Sequence, residues 1–220
     1  MPSVALQPTV APTPGRPLDA YVFVGERLWL DFVNSDDATH ARGEARHDAL
    51  DVFERFIGWL SVARVLDDER ATAMLRRSQQ QPTGSSAALH EARRLRNVLR
   101  ALAERGDAPQ ERATQTAIGE INRILGRSAG SRRVEPRSDG GFVRNFVTAG
   151  DVFAGLMIPI IESAADALVT GEMPRVRKCA DPRCARVFYD GSRNGKRRWC
   201  DMKTCGNRAK AARHRKKISG

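Results

Sequence analysis

Four cysteines are the residues of this chain with the most specific chemistry. They are Cys179, Cys184, Cys200 and Cys205, so two C-x4-C pairs are separated by fifteen residues. Two close pairs joined by a hairpin-sized loop allow four thiolates to converge on one zinc ion. Because no cysteine is left over, the spacing predicts one structural Zn²⁺ bound by all four.

Two other uses of the cysteines are less favoured. Disulfides need an oxidising compartment, but the first seventeen residues contain five prolines and lack the basic start and apolar run of a signal peptide. Four buried thiols would need an apolar core around them. This segment has too few large apolar residues to build one. His214 is a further candidate ligand, which four sulfurs make unnecessary.

The net charge of +11 is confined to the segment that holds the cysteines. Residues 175–220 contain 16 of the 37 Lys and Arg residues and three acidic residues, a local balance of +13, whereas the rest of the chain sums to −2. A localised basic field binds polyanions by releasing their counterions, so this distribution indicates a nucleic-acid partner. The alternative is a solvated basic tail without a specific partner.

The basic segment divides into a metal knuckle, a hairpin and a helix. We expect strands at 187–189 and 197–199 around a turn-rich stretch at 190–195, and a helix from about Lys203. Cations occupy nearly every face of this helix, so we expect it to project toward phosphate and not into a core. The candidate nucleic-acid-binding residues are Arg193, Lys196, Arg197, Arg198, Lys203, Asn207, Arg208, Lys210, Arg213, Arg215 and Lys216.

Several motifs of the segment resemble the CGNR zinc finger, a treble-clef-like finger named for its last motif. They are Ser192-Arg193-Asn194, Arg197-Arg198-Trp199-Cys200 and Cys205-Gly206-Asn207-Arg208, with Phe188, Asp190, Met202 and Lys210. Upstream, Gly25 followed by Leu30-Asp31-Phe32-Val33-Asn34-Ser35 resembles the opening of the ABATE domain that usually precedes this finger in bacterial proteins, with Ser35 where Thr is typical. The two resemblances imply a stress-responsive transcription regulator.

The chemistry of the segment does not separate DNA from RNA. The sequence has neither a recognition helix with clear base-reading positions nor the aromatic motif of RNA-binding sheets. We expect DNA, with RNA as the alternative. Asn207 can either pair with an adenine edge or tie the zinc site to the start of the helix.

Trp29, Asp31 and Asn34 are candidates for a ligand pocket in the N-terminal part. Polar groups within an aromatic, apolar segment must either find hydrogen-bond partners or face a cavity. In the first case Asp31 and Asn34 tie down the neighbouring chain, and in the second the three residues form a small-molecule sensor coupled to the finger. His40 and His47, with acidic neighbours, suggest a second metal site, for which a solvated polar loop is the favoured explanation.

The sequence contains no P-loop, no H-E-x-x-H and no dinucleotide fingerprint. We therefore expect a binding protein and not an enzyme, and an unrecognised active site in the N-terminal domain is a second alternative. The chain has no export signal and no apolar run that spans a bilayer comfortably, so we expect a cytoplasmic protein without a membrane partner. A homodimer is compatible with the sequence.

Helical spacing dominates the N-terminal part. We expect helices at about 48–60, 67–79, 85–106, 109–125 and 151–169, the last bent at Pro159, with a β-hairpin at 132–148 and a strand-like or irregular start at 21–35. The expected fold class is therefore mainly α, or α+β. It comprises a disordered leader at 1–18, a helical domain with a small β-hairpin at 19–172 and a zinc finger at 173–220.

Overall fold

The computed structural model describes residues 21–36, 48–104, 110–136 and 141–218. The expected leader at 1–18 and the pair His40 and His47 lie outside these ranges.

The described helices are α1 (Leu28–Val33), α2 (Phe53–Val62), α3 (Asp68–Gln80), α4 (Pro82–Glu104), α5 (Gln110–Arg127), α6 (Ile158–Val169) and α7 (Asn207–Ile218). The strands form two antiparallel pairs, β1 (Gly130–Pro136) with β2 (Phe142–Thr148) and β3 (Val176–Lys178) with β4 (Val187–Tyr189). The predicted fold class is confirmed: the chain is mainly helical, with a β-hairpin and a zinc finger.

The short helix α1 lies at the centre of the molecule and corrects the expectation of a strand-like segment at 21–35. Five successive residues of α1, from Trp29 to Val33, are buried, since the helix packs against α4, α6 and β4. A helix that is apolar all round shows no 3.6-residue periodicity, and its aromatic and branched residues suggest a strand instead. Tertiary burial and not local propensity therefore determines this element.

Gly25 is required for the chain to fold back onto the start of α1. A Cβ atom at Gly25 would lie 2.7 Å from the backbone nitrogen of Asp31 and 2.8 Å from Cβ of Leu30. The Asp31 carboxylate accepts a 2.7 Å hydrogen bond from the Gly25 N–H. Glycine thus permits a close approach that the buried carboxylate then holds in place.

The next helices form close to where their sequences predict them, but α2 begins at Phe53 and α4 at Pro82, and not at about 48 and 85. Asp67 caps α3 by accepting from the Arg70 N–H at 2.8 Å. Proline suits the first helical turn, so α4 begins at Pro82, three residues before its expected start. The Ser85 hydroxyl lies inside that turn and donates to the Pro82 carbonyl.

The predicted hairpin at 132–148 is confirmed as β1 and β2, paired in register from Gly130 with Thr148 to Pro136 with Phe142. The single long helix expected at 151–169 is wrong. A 3-10 turn at Ala154–Met157 precedes α6, and Pro159 lies in the first turn of α6, where its missing N–H costs no hydrogen bond.

The strand pairing in the basic segment also differs from the expected hairpin. The strand β4 pairs with β3, which precedes the first cysteine, and the stretch 197–199 is not a strand. The reason lies in Asp190, which is fully buried and accepts from the backbone N–H groups of Ser192 and Arg197. These bonds close the loop after β4 around a carboxylate and not through a strand ladder.

Candidate zinc centre and nucleic-acid interface

The four cysteines come from two turns that face each other. Cys179 follows β3 and its N–H donates to the Arg186 carbonyl, while the Cys184 N–H closes a turn onto the Asp181 carbonyl. Cys200 follows the loop at 190–198, and Cys205 lies in the π-helical turn Met202–Gly206 that leads into α7. The N–H of Ala180 donates to the carbonyl of Arg198 and joins the two halves.

The geometry of this cluster fits one tetrahedral zinc ion. All four sulfurs lie within 4.8 Å of one another and the four residues are buried. Sγ of Cys200 is 3.7 Å from Sγ of both Cys184 and Cys205. A tetrahedral site with Zn–S bonds of about 2.3 Å separates its sulfurs by about 3.8 Å. The cluster therefore holds one structural zinc ion, as the spacing predicts, and His214 lies exposed on α7 outside it.

The pKa values of the cysteine thiols also indicate that the cluster binds a cation. The thiols of Cys184 and Cys200 donate toward Cys179 and lower the pKa of that thiol. The same contacts raise the pKa of Cys184 and of Cys200. The cluster alone therefore does not stabilise four thiolates, and a bound dication removes this restriction.

Arg208 forms an outer layer around the zinc site. Its Nη2 donates to Sγ of Cys205 over 3.0 Å, and its Nε donates to Asp181 over 2.9 Å. Asp181 is only 4% exposed, and although burial opposes its ionisation, the Arg183 N–H and the Arg208 guanidinium hold the pKa of its carboxyl below the usual value. Groups that hydrogen-bond to a metal ligand orient it and tune its basicity.

Arg197 is also engaged within the protein. Its guanidinium donates to the carbonyls of Trp199 and Cys200, lies 4.6 Å from the ring centroid of Phe188 and forms an ion pair with Glu26. The Asn207 side chain donates to the Lys203 carbonyl over 3.0 Å. Three of the predicted nucleic-acid-binding residues thus have intramolecular partners.

The other predicted cations are exposed. Within the described residues, six of them have no hydrogen bond or ion pair from their side chains to an acidic group: Arg193, Lys196, Arg198, Lys203, Lys210 and Arg213. Arg215 is exposed on α7, and the side chain of Lys216 is outside the described set. Within the described part of the chain the acidic residues of the segment form no ion pair with these six cations: Asp181 pairs with Arg208, Asp190 accepts from the Arg197 N–H, and Asp201, whose charge lies near Lys203, accepts from the Thr204 N–H.

Gly206 of the CGNR motif allows two apolar side chains to cover the start of α7. A Cβ atom at this position would lie 2.4 Å from Sδ of Met202 and 3.2 Å from Cδ1 of Trp199. Trp199 also packs against the buried cysteines. A side chain at this position would have to displace Met202 and would press on the Trp199 ring.

The N-terminal candidates Trp29, Asp31 and Asn34 have structural contacts. Asp31 accepts from Gly25, and Asn34 forms two hydrogen bonds with the backbone of Val187 in β4. Trp29 is fully buried, and its Nε1 has no hydrogen-bond partner among the residues that the structure describes. None of the three lines the apolar cavity between α3, β2 and the 3-10 turn before α6.

Sequence reasoning missed the contacts that join the finger to the helical domain. Val176 and Val187 belong to the main apolar core, and the Tyr189 N–H donates to the Gly25 carbonyl over 2.9 Å. Arg27 pairs with Glu172 over 2.6 Å and stacks 4.0 Å above the Tyr189 ring. The only sequence signal for this junction is polar residues within an apolar run, which does not identify their partners.

None of the helices in the described part of the chain is long and apolar enough to cross a membrane.

The sequence profile of the CGNR zinc finger matches residues 175–217. The profile of the ABATE domain, described as a putative stress-induced transcription regulator, matches residues 26–172 and so covers more than half of the chain. No curated protein matches the sequence. The chain therefore belongs to the ABATE family of putative stress-induced transcription regulators, with a CGNR zinc finger after the ABATE domain.

Proposed function

We propose that this protein is a cytoplasmic transcription regulator that binds DNA through its zinc finger. The observation that carries the proposal is the set of exposed cations on the finger that have no acidic partner among the described residues. These cations outnumber the three acidic residues of the segment and form no ion pair with them, so net positive charge is available to phosphates. Contacts of this kind release counterions and supply most of the affinity for a nucleic-acid backbone.

The helix α7 favours an organised surface over a solvated tail. It begins two residues after the zinc ligand Cys205, and the Asp201 carboxylate caps the turn that leads into it by accepting from the N–H groups of Lys203 and Thr204. Lys210 and Arg213 are three residues apart, which places them on one face of α7. The zinc site thereby fixes the position of charges that a disordered tail would scatter.

Selection from mixed pools tests this proposal. Full-length, zinc-loaded protein is incubated with random DNA, both single-stranded and duplex, and random RNA together, and the bound molecules are sequenced. We expect enrichment of DNA. Enrichment of RNA alone would contradict the DNA assignment and support the second candidate, and enrichment of neither would contradict nucleic-acid binding.

RNA binding is the second candidate because of Trp199. This side chain is half-buried at the surface of the finger, with the Arg198 guanidinium 5.0 Å from its ring centroid. Aromatic side chains beside cations are typical of surfaces that bind single strands.

A small-molecule effector of the N-terminal domain is supported by a cavity of about 240 Å³ between α3, β2 and the 3-10 turn before α6. Leu66, Met74, Phe146 and Leu156 make its walls apolar, and Arg70 at its edge is paired with Glu135 and Asp67. This chemistry suits an uncharged, apolar small molecule. Octanol should raise the melting temperature of the protein, and Met74→Trp, which fills the cavity, should abolish that increase. An equal increase in both proteins would exclude this cavity.

We propose that the protein acts by binding and not by catalysis. The sequence 126–130 matches the G-x-S-x-G pattern, but its Ser128 follows a helix and precedes a strand, the reverse of a nucleophile elbow. The Ser128 hydroxyl donates to the Ile124 carbonyl over 2.8 Å. Full-length protein should therefore show no hydrolysis of p-nitrophenyl esters above that of Ser128→Ala.

A further inference from the structure

Trp199 and Met202 form an apolar patch on a basic surface of the finger. Met202 is 48% exposed and Trp199 is half-buried. They line a groove of about 540 Å³ whose other walls are Lys196, Arg197, Arg198 and Asp201. An aromatic ring beside an exposed thioether gives this groove an apolar floor rimmed by polar groups, as in grooves that bind ligands.

The local structure holds Trp199 in a fixed orientation. Nε of Arg197 donates to its carbonyl over 2.9 Å, and its ring packs on the buried cysteines. Because Gly206 has no side chain, Met202 and the indole fit beside each other over the start of α7. The ring is therefore a preorganised surface and loses little conformational entropy when a flat ligand stacks on it.

The charges around the groove define the ligand. Lys196 and Arg198 have no acidic partner among the described residues, and the guanidinium of Arg198 already lies against the Trp199 ring. Asp201, the acidic residue of the groove, accepts from the backbone N–H groups of Lys203 and Thr204. The groove thus offers a π surface between two free cations, which matches a flat base with phosphates on either side.

We propose that Trp199 is a stacking platform for an unpaired nucleobase, with Lys196 and Arg198 binding the flanking phosphates and Met202 closing the groove. This proposal rests on the proposed binding of nucleic acid by the finger and adds a specific mode to it. A base inside a regular duplex cannot reach the ring, so the finger should prefer single strands, or duplexes with a bulged nucleotide, over perfect duplexes of the same sequence.

Tryptophan fluorescence of the full-length, zinc-loaded protein reports this contact directly. The sequence contains three tryptophans, and Trp29 and Trp59 are only 0% and 2% exposed. A stacked base therefore quenches Trp199 and not the other two. We expect quenching by single-stranded DNA and RNA and by a bulged duplex. A much smaller effect is expected from the perfect duplex and from a bulged duplex that carries an abasic residue at the bulge.

Two substitutions separate stacking from packing. Trp199→Phe keeps an aromatic surface and should bind the bulged duplex with little loss, whereas Trp199→Leu keeps apolar packing but should weaken binding by about 10-fold. Zinc content is measured for both, and Lys178→Ala removes an exposed charge outside the groove as a control. The abasic duplex tests the same contact without altering the protein if Trp199→Leu loses zinc.

The outcomes distinguish the two levels of the proposal. Stacking is overturned if the wild-type protein binds the bulged and abasic duplexes equally without quenching, while nucleic-acid binding itself still holds. If the wild-type protein binds no nucleic acid at low salt, both the stacking site and the proposed function are overturned. Quenching by RNA but not by DNA would support Trp199 as a stacking platform and would contradict DNA as the partner of the finger.

Discussion

The side chain of Asn34 pairs with the backbone of Val187 through both ends of its carboxamide. Nδ2 donates to the Val187 carbonyl over 2.8 Å, and Oδ1 accepts from the Val187 N–H over 2.9 Å. Both residues are buried and they are 153 positions apart in the sequence. The amide thus pairs with β4 as another strand residue would and fixes the finger to the end of α1.

Removing this amide should destabilise the junction. Asn34→Ala leaves a buried N–H and a buried carbonyl of Val187 without partners, and each such loss costs about 1–3 kcal/mol. We expect the free energy of unfolding to fall by about 2–3 kcal/mol in urea denaturation. Asn122→Ala, at an exposed position of α5, should change it by less than about 0.5 kcal/mol. Equal effects of the two substitutions would contradict the structural role of Asn34.

A chain that ends at Gly171 tests how far the helical domain depends on the finger. Its helices retain most of the apolar core, so we expect cooperative thermal unfolding. The melting temperature should nevertheless be lower than that of the full chain, because Val176, Val187 and the bonds of Asn34 are lost. Differential scanning calorimetry measures both properties. An unchanged melting temperature would show that the junction contributes no stability.

The elements that the sequence predicts are those whose signals are local. The cysteine spacing identifies the zinc ligands, and helical periodicity and caps identify α2 to α5. The helix α1 has no such periodicity because every side is covered by other elements. Its assignment therefore depends on contacts between residues far apart in the sequence.

Residue type also fails to distinguish free cations from engaged ones. Arg198 and Arg208 belong to the same basic segment, yet Arg198 has no acidic partner among the described residues and Arg208 binds Asp181 and Cys205. The difference arises from the zinc knuckle, which brings residues 181 and 208 together. A charge count gives the sign of the field but not the residues that are available to produce it.

Arg208 should contribute to zinc affinity. Loss of a group that hydrogen-bonds to a metal ligand typically weakens binding by about 10- to 100-fold. We expect Arg208→Ala to raise the dissociation constant for zinc by about 10-fold in competition with a chelator. Lys210→Ala removes an equal charge from the same helix without touching a ligand and should leave the constant unchanged. An equal effect of both substitutions would indicate electrostatics alone.

Asp31 should make stability depend on pH. Burial raises the pKa of Asp31 to about 6, although the N–H groups of Gly25 and Val24 oppose the shift. Since this value lies above that of the unfolded chain, the folded state binds the proton more tightly and loses stability as pH rises through it. Between pH 5 and pH 8 the loss amounts to about 1 kcal/mol.

Asp31→Asn keeps the acceptor for the Gly25 N–H and removes the titration. The free energy of unfolding of this variant relative to the wild-type protein should therefore increase by about 1 kcal/mol from pH 5 to pH 8. Urea denaturation of both proteins at the two pH values measures it. A difference that does not change with pH would contradict ionisation of Asp31 in this range.

The salt dependence of DNA binding tests the central claim, that the free cations of the finger contact phosphates. The double substitution Lys210→Ala with Arg213→Ala should reduce the slope of log affinity against log salt by about 1.8 for duplex DNA, or about 0.9 for each charge. Arg76→Ala with Arg77→Ala removes two exposed charges from α3 and serves as the control. Phosphate contacts by α7 require a lower slope for the α7 pair and an unchanged slope for the α3 pair. Equal slopes for both variants and the wild-type protein would contradict phosphate contacts by α7.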